Sequence, residues 1–265
     1  MLVLPGMPLD NIRIVLVRPR GAANVGAVAR AMKNMGLDDL VLVRPAPMHA
    51  FWARAMAVHA DDVLRRVRQV DSLDAAVADC GLVVGTTCRE GPYRAAAQAP
   101  RVAAPRIVAT AVANRVAVVF GPEDHGLSNV DLKGCHQLIA IPASPAYPSL
   151  NLAQAVMVCC YEFFQAAQDG VVAEPVLAPA ERVTRMFDRL QAAFLSIGFL
   201  HADNPDHIMH ALRRLLGRAQ LEERDVRILL ALARQIEWFG QGGWRTMSAR
   251  RPAPAADGHR EEAPI

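Results

Sequence analysis

Three short stretches of this chain carry residues whose types and spacing could do chemistry. The first, RGAANVGAVARAMKNMG, runs from Arg20 to Gly36 behind the apolar run IRIVLV. Gly21 and Gly26 have the spacing of a triphosphate-binding loop. Ala27 and Val28, however, stand where a lysine for the phosphates and a hydroxyl for magnesium would be needed. A dinucleotide-binding loop fits no better. Ala23 fills the middle position, where a glycine lets the backbone approach a pyrophosphate. What remains is Arg30, one helical turn past Gly26 and off the apolar stripe of Val25, Val28, Ala29, Met32 and Met35. Asn24 is expected to cap this helix and Gly36 to end it. The missing side chain at Gly26 is expected to open space in front of the Arg30 guanidinium.

The second stretch, FGPEDHGLSN, sets Glu123 between Gly121 and Gly126 on a tight loop directly after a buried strand. A carboxylate there is hard to explain by packing, whereas Ser128 and Asp131 fit a capping pair. His125 has no serine or cysteine nucleophile in a matching elbow and reads as a surface residue. The third stretch, IPASPAYPSLNLAQAV, is stiffened by Pro142, Pro145 and Pro148. Ser149 is expected to cap the long helix that follows. Asn151 is a poor helix former in its first turn, with an amide free to face the same cleft as Glu123.

These stretches need a scaffold that brings strand ends together. Apolar, β-branched runs at Ile12–Val17, Leu40–Val43, Gly81–Gly85, Val116–Phe120 and Leu138–Ile141 alternate with helical patterns at about 25–35, 73–79, 104–113 and 149–167. That alternation predicts an α/β fold with an open parallel sheet covered on both faces. The pattern changes at residues 169–179, DGVVAEPVLAP, which read as a linker. Only helices follow, at about 180–197, 205–217 and 222–239, with Asn204, Pro205 and Asp206 marking the start of the second. The expected organisation is a domain over 1–168, the linker, a small all-helical domain over 180–239 and a disordered tail over 240–265.

Composition narrows the partners. The net charge of +3 permits a nucleic-acid partner without demanding one. Lys33 and Lys133 are the only lysines, so the arginine content reflects composition as much as function. The five cysteines, Cys80, Cys88, Cys135, Cys159 and Cys160, form no C-x-x-C pair and read as reduced thiols of a cytoplasmic protein. No apolar run is long enough to span a membrane, no signal peptide is evident at the N-terminus, and no spacing points to a metal.

In that order, NVGAVARAMKNMG, FGPEDHGLSN and IPASPAYPSLNLAQAV resemble the three motifs of the SPOUT RNA methyltransferases, in their 2′-O-methyltransferase branch. The stretch from Phe199 to Trp238 is similar to the helical extension of the bacterial tRNA (cytidine/uridine-2′-O-)-methyltransferases. The resemblance covers about residues 11–238 and is weakest over about 45–115. It implies a sheet whose C-terminal segment threads a loop to make a trefoil knot, and a homodimer with the active site at its interface. It further implies S-adenosylmethionine as cofactor, S-adenosylhomocysteine as product, and tRNA as partner. The target would be the ribose of a cytidine or uridine at position 32 of the anticodon loop. Matched to the motifs, Asn24, Arg30, Glu123, Ser149 and Asn151 would be catalytic. Gly85, Thr86, Thr87, Gly121, Glu123, Gly126, Ile141, Ser149 and Leu150 would hold the cofactor. Arg30, Arg213, Arg214 and Arg218 would touch RNA phosphates, although Glu222, Glu223 and Asp225 also fit a solvated helical face. The same reaction on ribosomal RNA, or an RNA-binding scaffold without turnover, are the competing readings. The failed loop fingerprints argue against a nucleotide-dependent oxidoreductase or NTPase.

Overall fold

The computed structural model describes residues 8–89, 91, 94, 97–170, 174–201 and 205–243. Six strands form one parallel sheet: β1 (Ile12–Val17), β2 (Asp39–Val43), β3 (Arg68–Val70), β4 (Leu82–Thr86), β5 (Val116–Phe120) and β6 (Gln137–Ile139). Their spatial order is β3-β2-β1-β5-β4-β6. Every residue of β1 and β5 is buried, as continuous β-branched runs in a doubly covered sheet require. Ile12, Ile14 and Leu16 face one core with α1 (Ala22–Asn34), α5 (Pro100–Ala111) and α7 (Leu152–Gln168). Val15 and Val17 face the other, beneath α4 (Leu73–Val77) and α6 (Asn129–Lys133).

Arg13 breaks the apolar run of β1 and is only 2% exposed. It stays charged there because its guanidinium grips Asp79 at 2.6 and 3.2 Å, Asp39 at 2.8 Å and the Ala76 carbonyl at 2.7 Å.

Strands run out from β1 in both directions, to β2 on one side and β5 on the other. This is the switch point at which open α/β sheets form a ligand crevice beyond the carboxyl ends of the strands. The edge strand β6 has neighbours on both flanks. It pairs with β4, Thr87 N–H donates to the Ile139 carbonyl at 3.0 Å, and Gln98 N–H donates to the Leu138 carbonyl at 3.0 Å from the far side. Ala140 N–H returns a bond of 2.9 Å to the Gln98 carbonyl. Thr87 and Gln98 thus bond the segment 138–140 from opposite sides.

The sequence reading missed three elements between residues 45 and 72: α2 (Ala50–Ala57), α3 (Asp61–Arg66) and β3. α2 leaves Phe51, Trp52 and Met56 exposed, so it lacks a clean apolar stripe, and β3 is a short edge strand with little buried surface. The long helix begins at Leu152, not at Ser149. Asn151 is its cap, its side-chain oxygen accepting from Ala153 N–H at 2.9 Å and Gln154 N–H at 3.4 Å. The expected capping pair Ser128 and Asp131 closes on α6 in both directions.

Three further helices, α8 (Ala180–Ser196), α9 (Pro205–Gly217) and α10 (Glu223–Gly240), pack around Met186, Phe187, Leu190, Leu200, Met209, Val226 and Ala233. The residues read as a linker are partly pinned. Leu177 is buried, its N–H donates to Asn114 Oδ1 at 2.7 Å, and Thr110 Oγ1 donates to Glu174 at 2.7 Å. Ala180 N–H then donates to the Cys80 carbonyl at 2.8 Å. Residues 171–173, the proposed cap Asn204 and residues 244–265 lie outside the described residues; of the tail expected over 240–265, Gly240 belongs to α10 and 241–243 form a turn. All five cysteines are free thiols. Burial pushes Cys135 and Cys159 up to about 12 and Cys160 well above its usual value, which keeps them protonated.

Candidate active site

Glu123 is the hub of the crevice. The β5–α6 loop carries it to the start of α1, where one carboxylate oxygen accepts from Asn24 Nδ2 at 2.9 Å and Gly21 N–H at 3.2 Å. The other accepts from Arg20 N–H at 3.1 Å. Burial alone would raise its pKa. The hydrogen bonds from Asn24 and from the backbone N–H groups of Glu123, Arg20 and Gly21 outweigh that and hold the carboxyl below the usual carboxylate range. Asn24 Oδ1 in turn accepts from Asn151 Nδ2 at 3.1 Å. Glu123, Asn24 and Asn151, one from each motif, thus form a single hydrogen-bonded chain across three strand ends.

Asn24 does not cap α1. The cap position is Gly21, which makes no side-chain bond, and Asn24 lies inside the first turn with its amide turned to Glu123. The carboxylate caps the helix from outside, satisfying N–H groups at its positive end. The loop closes because Gly121 abuts Gly126 and Leu127, where a Cβ would fall 2.2 Å from backbone atoms. Gly126 turns at φ +64°, a conformation that favours glycine.

Beside this chain lies a cleft of about 400 Å³. Its floor is apolar, with Phe120, Ile139, Ile141 and Leu152, and its rim is the backbone of the glycine loops. Thr86, Thr87, Gly121, Glu123, Gly126, Ile141, Ser149 and Leu150 all line it, as the motifs imply. Gly85 does not. A Cβ there would sit 2.8 Å from Cys135 Sγ and 2.9 Å from Leu138, so its smallness serves packing under β6.

Arg30 is exposed and lies on α1 outside this cleft, and its side chain makes no hydrogen bond or ion pair to any described residue. The expected space before it is not made by Gly26. Gly26 is buried against α2, with the Ala53 carbonyl filling the place of its side chain. Arg213 also departs from expectation. Its guanidinium stacks 4.5 Å over the Phe187 ring, lies 3.6 Å from Asp188, and is largely buried. Arg214 and Arg218 are exposed.

The reading of the sequence missed several cleft residues. His125 lines the cleft, its Nδ1 2.6 Å from Asp124, and Asp124 also pairs with Arg20 at 2.7 Å. Arg89, two residues past Thr87, lines it too and donates to the Leu127 carbonyl at 2.6 Å, bracing the Gly121–Gly126 loop. Its position just beyond a strand end was the available signal.

A parallel sheet with a glycine-rimmed crevice at its switch point defines an open α/β ligand-binding fold. The model of the SpoU rRNA methylase family matches residues 11–161, and that of the C-terminal domain of tRNA methyltransferase TrmJ matches residues 181–251. The tRNA (cytidine/uridine-2′-O-)-methyltransferase TrmJ of Salmonella typhimurium is 41% identical over 241 residues, covering 88% of this chain and 99% of that protein. A crystal structure of TrmJ from Z. mobilis superposes with a TM-score of 0.74 at 34% identity, covering 85% of this chain and 98% of that one. A probable methylase family protein from Haemophilus influenzae superposes at 0.58 with 36% identity, covering 89% and 99%. The chain belongs to the SpoU methylase family, in its TrmJ-type branch, and is an RNA 2′-O-methyltransferase.

Proposed function

We propose that the chain is an S-adenosylmethionine-dependent tRNA 2′-O-methyltransferase. It acts on the ribose of cytidine or uridine at the start of the anticodon loop, as a cytoplasmic homodimer with a knotted catalytic domain. The observation that carries this reading is the hydrogen-bonded chain Glu123–Asn24–Asn151 beside the cleft. It joins all three motifs around a pocket whose apolar floor and peptide rim suit an adenosine and a thioether chain.

The cofactor supplies a methyl group on a sulfonium sulfur. The chain's own residues need only bind, orient and charge the site. The rim of Gly121–Gly126 and Ile141–Leu150 offers peptide N–H and C=O groups to a base edge, and Ile139, Ile141 and Leu152 exclude water. Holding two reactants in line contributes on the order of 7–11 kcal/mol in favourable systems. Arg30 holds the phosphate beside the target ribose, and its charge lowers the pKa of the 2′-hydroxyl. A protonated guanidinium offers five N–H donors and no acceptor, so electrostatic assistance is easier than direct proton abstraction. Ser149, at the rim, hydrogen-bonds the incoming ribose.

Arg30 stands outside its own cleft, which supports a site completed by a second copy. The seat of β6 between β4 and Gln98, with α7 then returning to pack on α1 and α5, supports the knot. The test is to incubate the pure protein with S-adenosylmethionine and unmodified tRNA transcripts, alongside ribosomal RNA fragments, then digest and map by mass spectrometry. One added methyl on a cytidine or uridine ribose in the anticodon loop is expected. No transfer to tRNA, or transfer only to ribosomal RNA, refutes the proposal.

A further inference from the structure

A second concavity of about 310 Å³ lies where the helical domain meets the sheet edge. The catalytic domain contributes Arg106 from α5 and Lys133 from the end of α6, and α9 and its C-terminal turn contribute His210, Arg213, Arg214 and Arg218. Among the described residues, no aspartate or glutamate lines it. Arg106, Arg214 and Arg218 have no carboxylate partner among the described residues, whereas Lys133 is held by Asp206 at 2.9 Å and Arg213 is stacked on Phe187. Like charges facing one another across a groove repel, and a bound anion relieves that repulsion.

We infer that this groove seats the phosphodiester backbone of the RNA substrate, with Arg106 on one wall and Arg214 and Arg218 on the other. The inference rests on the RNA substrate proposed above and extends it to a site shared by both domains. Guanidinium forks match phosphate oxygens in pairs, and three of them standing without carboxylates suit a polyanion better than an acidic peptide. The position fits as well. Leu138 lines the groove while Ile139 and Ile141, on the same chain segment, line the methyl-donor cleft. From Gln137 to Ile141 an extended chain covers roughly 13 Å. RNA held in the groove therefore lies within a few nucleotides of the cleft.

The experiment is filter binding of a labelled tRNA transcript to the full-length protein over a series of salt concentrations. The variants are Arg106→Gln, Arg214→Gln and Arg218→Gln, singly and together, with Arg214→Lys/Arg218→Lys as the charge-preserving control. Each single Gln variant is expected to lower the slope of log K against log salt by about 1, and the triple variant by about 3. The triple variant should also bind RNA about tenfold or more weakly at low salt, with donor binding unchanged. The double Lys variant should keep the wild-type slope.

An unchanged affinity and slope in the triple variant overturns the inference, as a groove for a protein partner would give. So does a change in Arg214→Gln and Arg218→Gln with none in Arg106→Gln, which would reduce the site to one helix face. So does loss of donor binding, which would mark a structural role. If the wild-type protein binds tRNA with this salt dependence but transfers no methyl group, the proposed function fails while the groove stands.

Discussion

Replacing Gly26 with alanine sets two magnitudes against each other. In the interior of α1, alanine is favoured over glycine by about 1 kcal/mol from backbone entropy and solvation. Against that, a Cβ at Gly26 would lie 2.0 Å from the Ala53 carbonyl oxygen and 2.8 Å from its carbon. Ordinary contact begins at 3.4 Å, so α2 must retreat by about 1.4 Å from a contact made by backbone, which has no rotamer to change. Overpacking of this kind costs about 1–3 kcal/mol, and a backbone obstacle puts it toward the upper end. The expected net loss is about 1–2 kcal/mol, a fall of roughly 2–8 °C in Tm for a domain of this size. Gly134→Ala is the control, because its nearest neighbour is 4.0 Å away and its backbone is right-handed, at φ −84°. Melting curves of both variants by circular dichroism decide the matter. A Gly26→Ala Tm at or above wild type would show that helix propensity dominates and that α1 and α2 are not locked by this contact.

Other expectations follow from the same geometry. Arg30→Ala should keep the wild-type Tm and bind S-adenosylmethionine normally, by isothermal titration, yet lose methyl transfer; near-normal turnover would remove Arg30 from the chemistry. Glu123→Gln places an amide N–H₂ against donors that now meet a carboxylate, which should disturb the Glu123–Asn24–Asn151 chain and lower kcat by at least about tenfold in a single-turnover assay. The Glu123 pKa is depressed in the folded protein, so its contribution is full above the usual carboxylate range and fades as pH falls through the folded value. Wild-type activity should therefore fall on an acid limb that Glu123→Gln lacks. Asp79 behaves alike for stability. Burial would raise its pKa, but hydrogen bonds from Arg13 and Arg115 hold it well below the usual range. Its stabilisation is present at neutral pH and lost on strong acidification, so Asp79→Asn should lower Tm at pH 7 and narrow the difference from wild type as pH falls.

Much of the site was legible before any coordinates because its parts are local. Glu123 between two glycines, and Asn151 among prolines ahead of a helix, are patterns of a few residues, and the loops fall at strand ends that the apolar runs mark. Roles within those loops were less legible. Ser149 and Asn24 were expected as caps, but Asn151 and the distant Glu123 carboxylate take those tasks. A short polar side chain near a helix start can serve several N–H groups, and the choice depends on what approaches from elsewhere. Arg213 reads like its neighbours Arg214 and Arg218, and only the placement of Phe187 on a different helix takes it out of solvent.

By itself, the order of apolar runs and glycine loops determined the parallel α/β sheet, the three strand-end loops and the helical domain after residue 180, since periodicity and turn chemistry are properties of neighbouring residues. Tertiary structure alone decided that Gly26 is a helix contact, that the three loops share one hydrogen-bonded chain, and that Arg106 faces α9 across a groove. Those outcomes depend on residues far apart in sequence coming within a few ångströms, and local patterning carries no information about that distance.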